Sequence, residues 1–245
     1  MPESVDLLVF GPHPDDLEIG LGGAIAKHAA LGHRVGLCDL TKGELGTNGT
    51  PEERVQESEA ARAVLGARWR ENLALPDGDI GGDPSHVRAI VELIRRARPK
   101  TIAVPYGRDR HPDHVAASRL LTRAAFLSGL TRYGATGEKW RADWLLYYFI
   151  NESKRPSFVV DVSAHYDTKR AALACHRSQF APPSTGAAAT RLNTPRFQQL
   201  IESRDAQFGA LIGVAFAEGV ITRELLLRDH LLHPNARSPR VGSPD

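Results

Sequence analysis

No stretch of the 245-residue sequence approaches the roughly 20 consecutive apolar residues that span a bilayer. Met1 leads through Pro2, Glu3 and Ser4 straight into a short apolar run, with no secretory pattern ahead of it. Cysteine is scarce: Cys38 and Cys175 cannot form a disulfide framework and suit a reducing compartment, each reading as a small buried side chain. Neither sign of charge dominates, with 31 Lys and Arg against 29 Asp and Glu and a net charge of +2. That balance gives no reason to expect nucleic acid or a membrane surface as the partner. The nucleotide-binding glycine patterns are missing too. The Thr41–Thr50 stretch does not close in Gly-Lys-Ser/Thr, and no Gly-x-Gly-x-x-Gly follows the first strand. These absences lead us to expect a soluble cytoplasmic protein.

What is present is an alternation of short apolar runs and helical periodicity. Val5 to Phe10, Arg34 to Leu40, Arg70 to Leu75 and Lys100 to Val104 read as strands. Leu17 to Leu31, Thr50 to Leu65, Pro84 to Ala97 and Pro112 to Ser128 read as the helices between and after them. Thr50-Pro51-Glu52-Glu53 marks a helix start, with a capping Thr, Pro at the first helical position and Glu53 closing a capping box. Beyond Gly129, Trp144 to Ile150 and Ser157 to Val162 read as strands, and His165 to Ser178 and Pro195 to Phe208 as helices. Phe180 to Ala187 reads as a mobile connector, which either covers the site or simply joins two helices. The β-α-β-α order predicts an α/β fold: a Rossmann-like, largely parallel sheet with helices on both faces in a single domain. We place that domain at 1–232. The proline- and serine-containing segment 233–245 reads as a flexible tail. No internal repeat is visible.

Two clusters carry the chemistry. Pro12-His13-Pro14-Asp15-Asp16 packs an imidazole and two carboxylates directly after the first strand, where ligands bind in α/β sheets and where first-turn amides favour ionised carboxylates. An Asp-Asp pair at a helix start also serves simply as a cap. His111-Pro112-Asp113-His114 follows the Lys100 strand in the same way. A parallel sheet brings both clusters to one rim, and His with Asp and no thiolate matches a catalytic metal site with an open position better than a structural one.

Together these clusters resemble the paired signatures of the PIG-L/LmbE-like zinc N-deacetylases. The resemblance extends from the first strand through Asp161-Val162-Ser163 to Ala217-Glu218-Gly219. Thr41-Lys42-Gly43-Glu44, Gly46-Thr47 and the helix bearing Arg54 are similar to the branch that deacetylates N-acetylglucosaminyl malate in bacillithiol biosynthesis. The resemblance implies that His13, Asp16 and His114 hold zinc, with ferrous iron also compatible with such ligands. It makes Asp15 the general base on the attacking water. His111 would stabilise the oxyanion or protonate the leaving amine, and Asp113 would orient a histidine.

Arg54, Arg110 and Arg141 are the expected substrate-binding residues, Arg54 and Arg110 gripping an anionic group of a small glycoside. Each has a plainer role beside this one: Arg54 solvated and paired with Glu57 or Ser58, Arg110 paired with Asp109 or Asp113, Arg141 on the surface. Relatives of this kind often form trimers or hexamers, so the resemblance also implies a homo-oligomer. A tyrosine late in the chain is common in the family near the site, yet none occurs here after Tyr166. A different acetylated conjugate or oligosaccharide, a metal-dependent sugar-binding protein without turnover, and a phosphoesterase remain open alternatives.

Overall fold

The computed structural model describes residues 3–182 and 188–226. Part of the connector read at 180–187, the expected tail at 233–245 and the domain limit at 232 therefore lie outside the described residues. Seven strands form one sheet: β1 (Leu7–Gly11), β2 (Val35–Asp39), β3 (Trp69–Asn72), β4 (Thr101–Pro105), β5 (Trp144–Tyr148), β6 (Phe158–Asp161) and β7 (Ala217–Thr222). Their order is β3-β2-β1-β4-β5-β7-β6. All neighbours are parallel except β7, which runs antiparallel to β5 and β6.

The helices are α1 (Asp16–Ala30), α2 (Pro51–Leu65), α3 (Pro84–Ala97), α4 (Pro112–Ser128), α5 (Tyr166–Cys175), the single turn α6 (Arg177–Phe180) and α7 (Pro195–Ala210). Alternation along β1 divides the core: Leu8 and Phe10 join residues of α3 and α4 on one face, while Val9 joins α1, α2 and α5 on the other. Because both faces are covered, the central strands read as continuous apolar runs. Among the described residues no helix is long and apolar enough to cross a membrane.

The helix starts follow local chemistry. Thr50 accepts from the Glu53 amide while the Glu53 carboxylate accepts from the Thr50 amide, completing the capping box. Pro84 and Pro112 open α3 and α4, where a missing N–H costs nothing. Helix α1 is different: it lies buried from Asp16 to Ala26, against the sheet. Gly20 allows that approach, since a Cβ there would meet the Tyr148 ring at 2.2 Å.

Two expectations need correction. β7 is a strand that apolar alternation does not reveal, because Glu218 and Gly219 interrupt it. The helix read from His165 to Ser178 is a 3-10 turn at Ser163–His165, then α5, then α6, with the break at His176. His176 is fully buried there, its Nε2 3.3 Å from Glu18.

Candidate active site

In the strand order, the chain leaves β1 towards β2 on one side and reaches β4 on the other, so the carboxyl ends of β1 and β4 flank the switch point where such sheets bind ligands. A cavity of about 580 Å³ opens there. The β1–α1 loop supplies its floor. Asp15 occupies the N-cap position with φ 113°, a conformation unfavourable for a non-glycine residue, and its side chain makes no capping bond. The neighbouring Asp16 takes the local bond instead, its Oδ2 accepting from the His13 amide at 3.0 Å. The strained backbone thus turns the Asp15 carboxylate away from the helix end, so simple capping does not account for this pair.

Asp16 Oδ2 lies between two imidazoles, 3.1 Å from His13 Nδ1 and 3.3 Å from His114 Nε2. Ligand atoms of His13, Asp16 and His114 all fall within 4.8 Å of one another, and all three residues are buried. The remaining ring nitrogens face carboxylates: His13 Nε2 is 3.1 Å from Asp77 and 3.2 Å from Asp113, and His114 Nδ1 is 3.1 Å from Asp109. Asp77 and Asp109 were not among the residues singled out in the sequence. Each follows a strand end, on the same rim as the two motifs, which is the signal that points to them.

His111 caps α4: its Nδ1 accepts from the Asp113 amide at 3.3 Å, so a neutral ring carries its proton on Nε2. The ring stacks on His114 with centroids 4.7 Å apart.

Burial pushes the Asp15 carboxyl up to about 7, with Asp16 adding to the rise and Arg54 opposing it. This departs from the expectation that the helix start keeps both carboxylates readily ionised. Asp16 goes the other way: burial works against its charge, but His114 and His13 hold it well below the usual carboxylate range. Burial likewise opposes a charged His114, yet Asp16 and Asp109 outweigh it and lift the ring to about 9. Burial lowers His111, and the nearby His114 and His13 lower it further.

The three expected arginines separate. Arg54 is buried at 4 % exposure rather than solvated, and it pairs with neither Glu57 nor Ser58. Its Nη1 donates to Gly43 O at 2.9 Å, and its Nη2 donates to Pro14 O at 2.8 Å and to Asp15 at 3.4 Å. Gly43 is required for this: its φ is +66°, and a Cβ would lie 1.7 Å from Arg54 Nη1. Arg54 therefore borders the cavity as a brace for the β1 loop. Arg110 lines the cavity and forms no ion pair with Asp109 or Asp113 among the described residues. Arg141 is a correction: it packs 5.5 Å above the Phe126 ring, against Gly129, and is not part of the cavity wall.

The donor set suits a divalent metal. Two imidazoles and one carboxylate converge, and each imidazole has a carboxylate behind it to fix its tautomer, as metal-bound histidines require. A second grouping, His13 with His111 and Asp113, shares His13. Its Asp113 Oδ2 already accepts from Gly78 N at 3.0 Å. The His13, Asp16 and His114 set is the better fit because Asp16 stands between both rings.

Comparison with known proteins agrees with this geometry. Residues 8–125, which carry both motifs, match the family model PIG-L, described as GlcNAc-PI de-N-acetylase. The conserved protein TT1542 from Thermus thermophilus superposes with a TM-score of 0.84 at 38% identity, covering 96% of this chain and 100% of that one. The chain belongs to the PIG-L family. It is also 28% identical over 189 residues to the diacetylchitobiose deacetylase of Thermococcus kodakarensis, covering 71% of this chain and 70% of that protein. The 1D-myo-inositol 2-acetamido-2-deoxy-alpha-D-glucopyranoside deacetylase of Thermomonospora curvata is 29% identical, covering 74% of this chain and 82% of that protein.

Proposed function

We propose that this chain is a metal-dependent N-deacetylase that hydrolyses the acetamide of an N-acetylglucosamine conjugate to acetate and the free amine. The observation that carries this reading is a buried carboxylate, Asp15, left free of capping beside a converging His-Asp-His donor set on one cavity. The names of the matched relatives support it, since both curated relatives are deacetylases of N-acetylated sugars. We assign His13, Asp16 and His114 as the ligands of a single metal, with zinc the first candidate and ferrous iron the second.

When bound, such a metal polarises the acetamide carbonyl and can lower the pKa of water to about 7. Asp15 takes the proton from the attacking water. Its elevated pKa suits that task near neutrality, and the Arg54 guanidinium holds it in place. His111, neutral and protonated at Nε2, offers that N–H to the oxyanion of the tetrahedral intermediate, and the proton that Asp15 has taken from the water is the one handed to the departing amine. Asp113 acts through His13, which it fixes at 3.2 Å, rather than on the substrate. No late tyrosine is needed in this scheme, because His111 supplies the donor.

N-acetylglucosaminyl malate is the conjugate we assign, on the likeness of the Thr41–Thr50 loop and the Arg54 helix to the bacillithiol branch. The trimeric or hexameric assembly implied by the same likeness is also proposed, and light scattering on the full chain tests it. The activity test is acetate release from N-acetylglucosaminyl malate and from free N-acetylglucosamine, with and without chelator. Chelator-sensitive release favouring the malate conjugate is the expected result. Release that chelator does not affect would overturn the metal-dependent reading, and release from free N-acetylglucosamine alone would overturn the malate assignment.

A further inference from the structure

With Arg54 engaged in the β1 loop and Arg141 elsewhere, Arg110 is the expected arginine that lines the cavity and is left available to a substrate. A second, not singled out in the sequence, does the same: Arg191, from the segment 188–194 that leads into α7. That segment is anchored. The Asn48 side chain donates to Ala188 O at 2.9 Å and accepts from Ala188 N at 3.1 Å.

Arg191 is oriented from both sides. Its guanidinium lies 4.9 Å above the Phe197 ring, and Nη1 donates to Asn151 Oδ1 at 2.6 Å. Asn151 is fixed in turn, its backbone and side-chain amides each donating to Asp109 at 3.0 Å, and Asp109 also faces His114. Arg191 is therefore built onto the frame that holds one of the proposed metal ligands. Of the five guanidinium donors, only one, on Nη1, has an acceptor among the described residues, which leaves the Nε and Nη2 edge for a two-pronged contact. Arg110 has no hydrogen bond or ion pair among the described residues. Burial lowers the Arg191 pKa and the neighbouring Arg110 charge lowers it further, so the two cations share one region of the cavity at some electrostatic cost.

We propose that Arg191 is a specificity-determining residue which, with Arg110, forms a subsite for an oxyanion group on the aglycone of the substrate. The inference rests on the deacetylase reading and names the class of conjugate that site accepts: one carrying a carboxylate or phosphate beyond the sugar. A guanidinium pair recognises either group, and neutral aglycones gain nothing from it.

The test compares metal-loaded full-length wild type, Arg191→Gln and Arg191→Lys on N-acetylglucosaminyl malate and on the neutral methyl glycoside of N-acetylglucosamine. For the malate conjugate, Arg191→Gln raises KM about 10–100-fold with kcat little changed, the size expected for losing charge-assisted hydrogen bonds. Arg191→Lys recovers part of the loss, and the methyl glycoside is unaffected by either change. Equal effects on the two substrates, or no effect on the malate conjugate, would overturn the proposal.

A second arm needs no turnover. Titration calorimetry with L-malate and with inorganic phosphate shows binding of at least one anion to wild type, weakened in Arg191→Gln at unchanged metal content, and the preferred anion identifies the group. If wild type releases acetate from neither conjugate, the deacetylase reading fails while the calorimetry still decides the subsite. Binding of neither anion to wild type, or equal binding by the variant, overturns the subsite.

Discussion

Two clusters of buried charge lie on either side of α1, and they are assembled on opposite principles. Beneath the helix, Lys169 Nζ donates to Ile19 O at 3.1 Å, Asp205 at 2.7 Å and Glu218 at 2.6 Å, using all three of its protons. Glu218 also accepts from the Gly23 and Ala24 amides, and Arg204 completes Asp205. Two cations there meet two anions, the Lys169, Asp205 and Glu218 side chains are fully buried and that of Arg204 is 9% exposed, and the result ties α5, α7 and β7 to α1.

At the N-terminal end of the same helix, five carboxylates, from Asp15, Asp16, Asp77, Asp109 and Asp113, face two buried imidazoles and, among the described residues, form an ion pair with one guanidinium, that of Arg54. This second cluster borders a cavity. A closed, charge-matched network is what a fold needs to bury ions, whereas an open excess of carboxylates beside imidazoles is what a cation and a proton transfer need.

The contrast can be broken by substitution. Asp15→Asn should lower turnover by about 10²–10⁴-fold, the range for loss of a general base, while metal content stays at the wild-type level. Near-normal turnover in that variant would remove Asp15 from the role. Lys169→Met tests the other cluster. It strands two buried carboxylates and should destabilise the fold by about 3–5 kcal/mol in urea unfolding, whereas Asp15→Asn, which relieves negative charge, should not destabilise it. Equal losses of stability in the two variants would erase the distinction.

Smaller effects sharpen it. Asp109→Asn removes the carboxylate behind His114 and should weaken metal binding about 10–100-fold without unfolding the chain. Metal affinity, followed by chelator competition, should also depend on pH. The metal needs neutral His114, and the ring is held at about 9, so proton and metal compete below that pH. Affinity should therefore rise from pH 6 towards pH 9 and level off above, with protons released on uptake at pH 7. A flat profile would speak against His114 as a ligand.

Much of the fold was legible in the sequence because its signals are local. The capping box at Thr50 and Glu53, and the prolines opening α3 and α4, mark helix starts within single segments, and α3 and α4 have the bounds read for them. β7 was not legible, since its glutamate is acceptable in a buried strand only through partners far away in sequence: Lys169, 49 residues off, and the Gly23 and Ala24 amides. The two motifs were visible as clusters of residue types. The carboxylates that orient their imidazoles were not, because Asp77 lies 64 residues from His13 and reaches it only once the β3 loop folds over the rim. Arg54 shows the same limit: sequence marked it as unusual near a helix start, yet only the approach of Gly43 and Pro14 reveals a brace rather than a free cation. Arg191 had no local signal at all, its orientation depending on Asn151 and Phe197.

The most direct test of the central claim is metal content per chain, measured after the same loading and desalting on wild type, Asp15→Asn and His114→Ala. The account predicts a single bound divalent metal in wild type and in Asp15→Asn, and its loss in His114→Ala. A full equivalent retained by His114→Ala would contradict it.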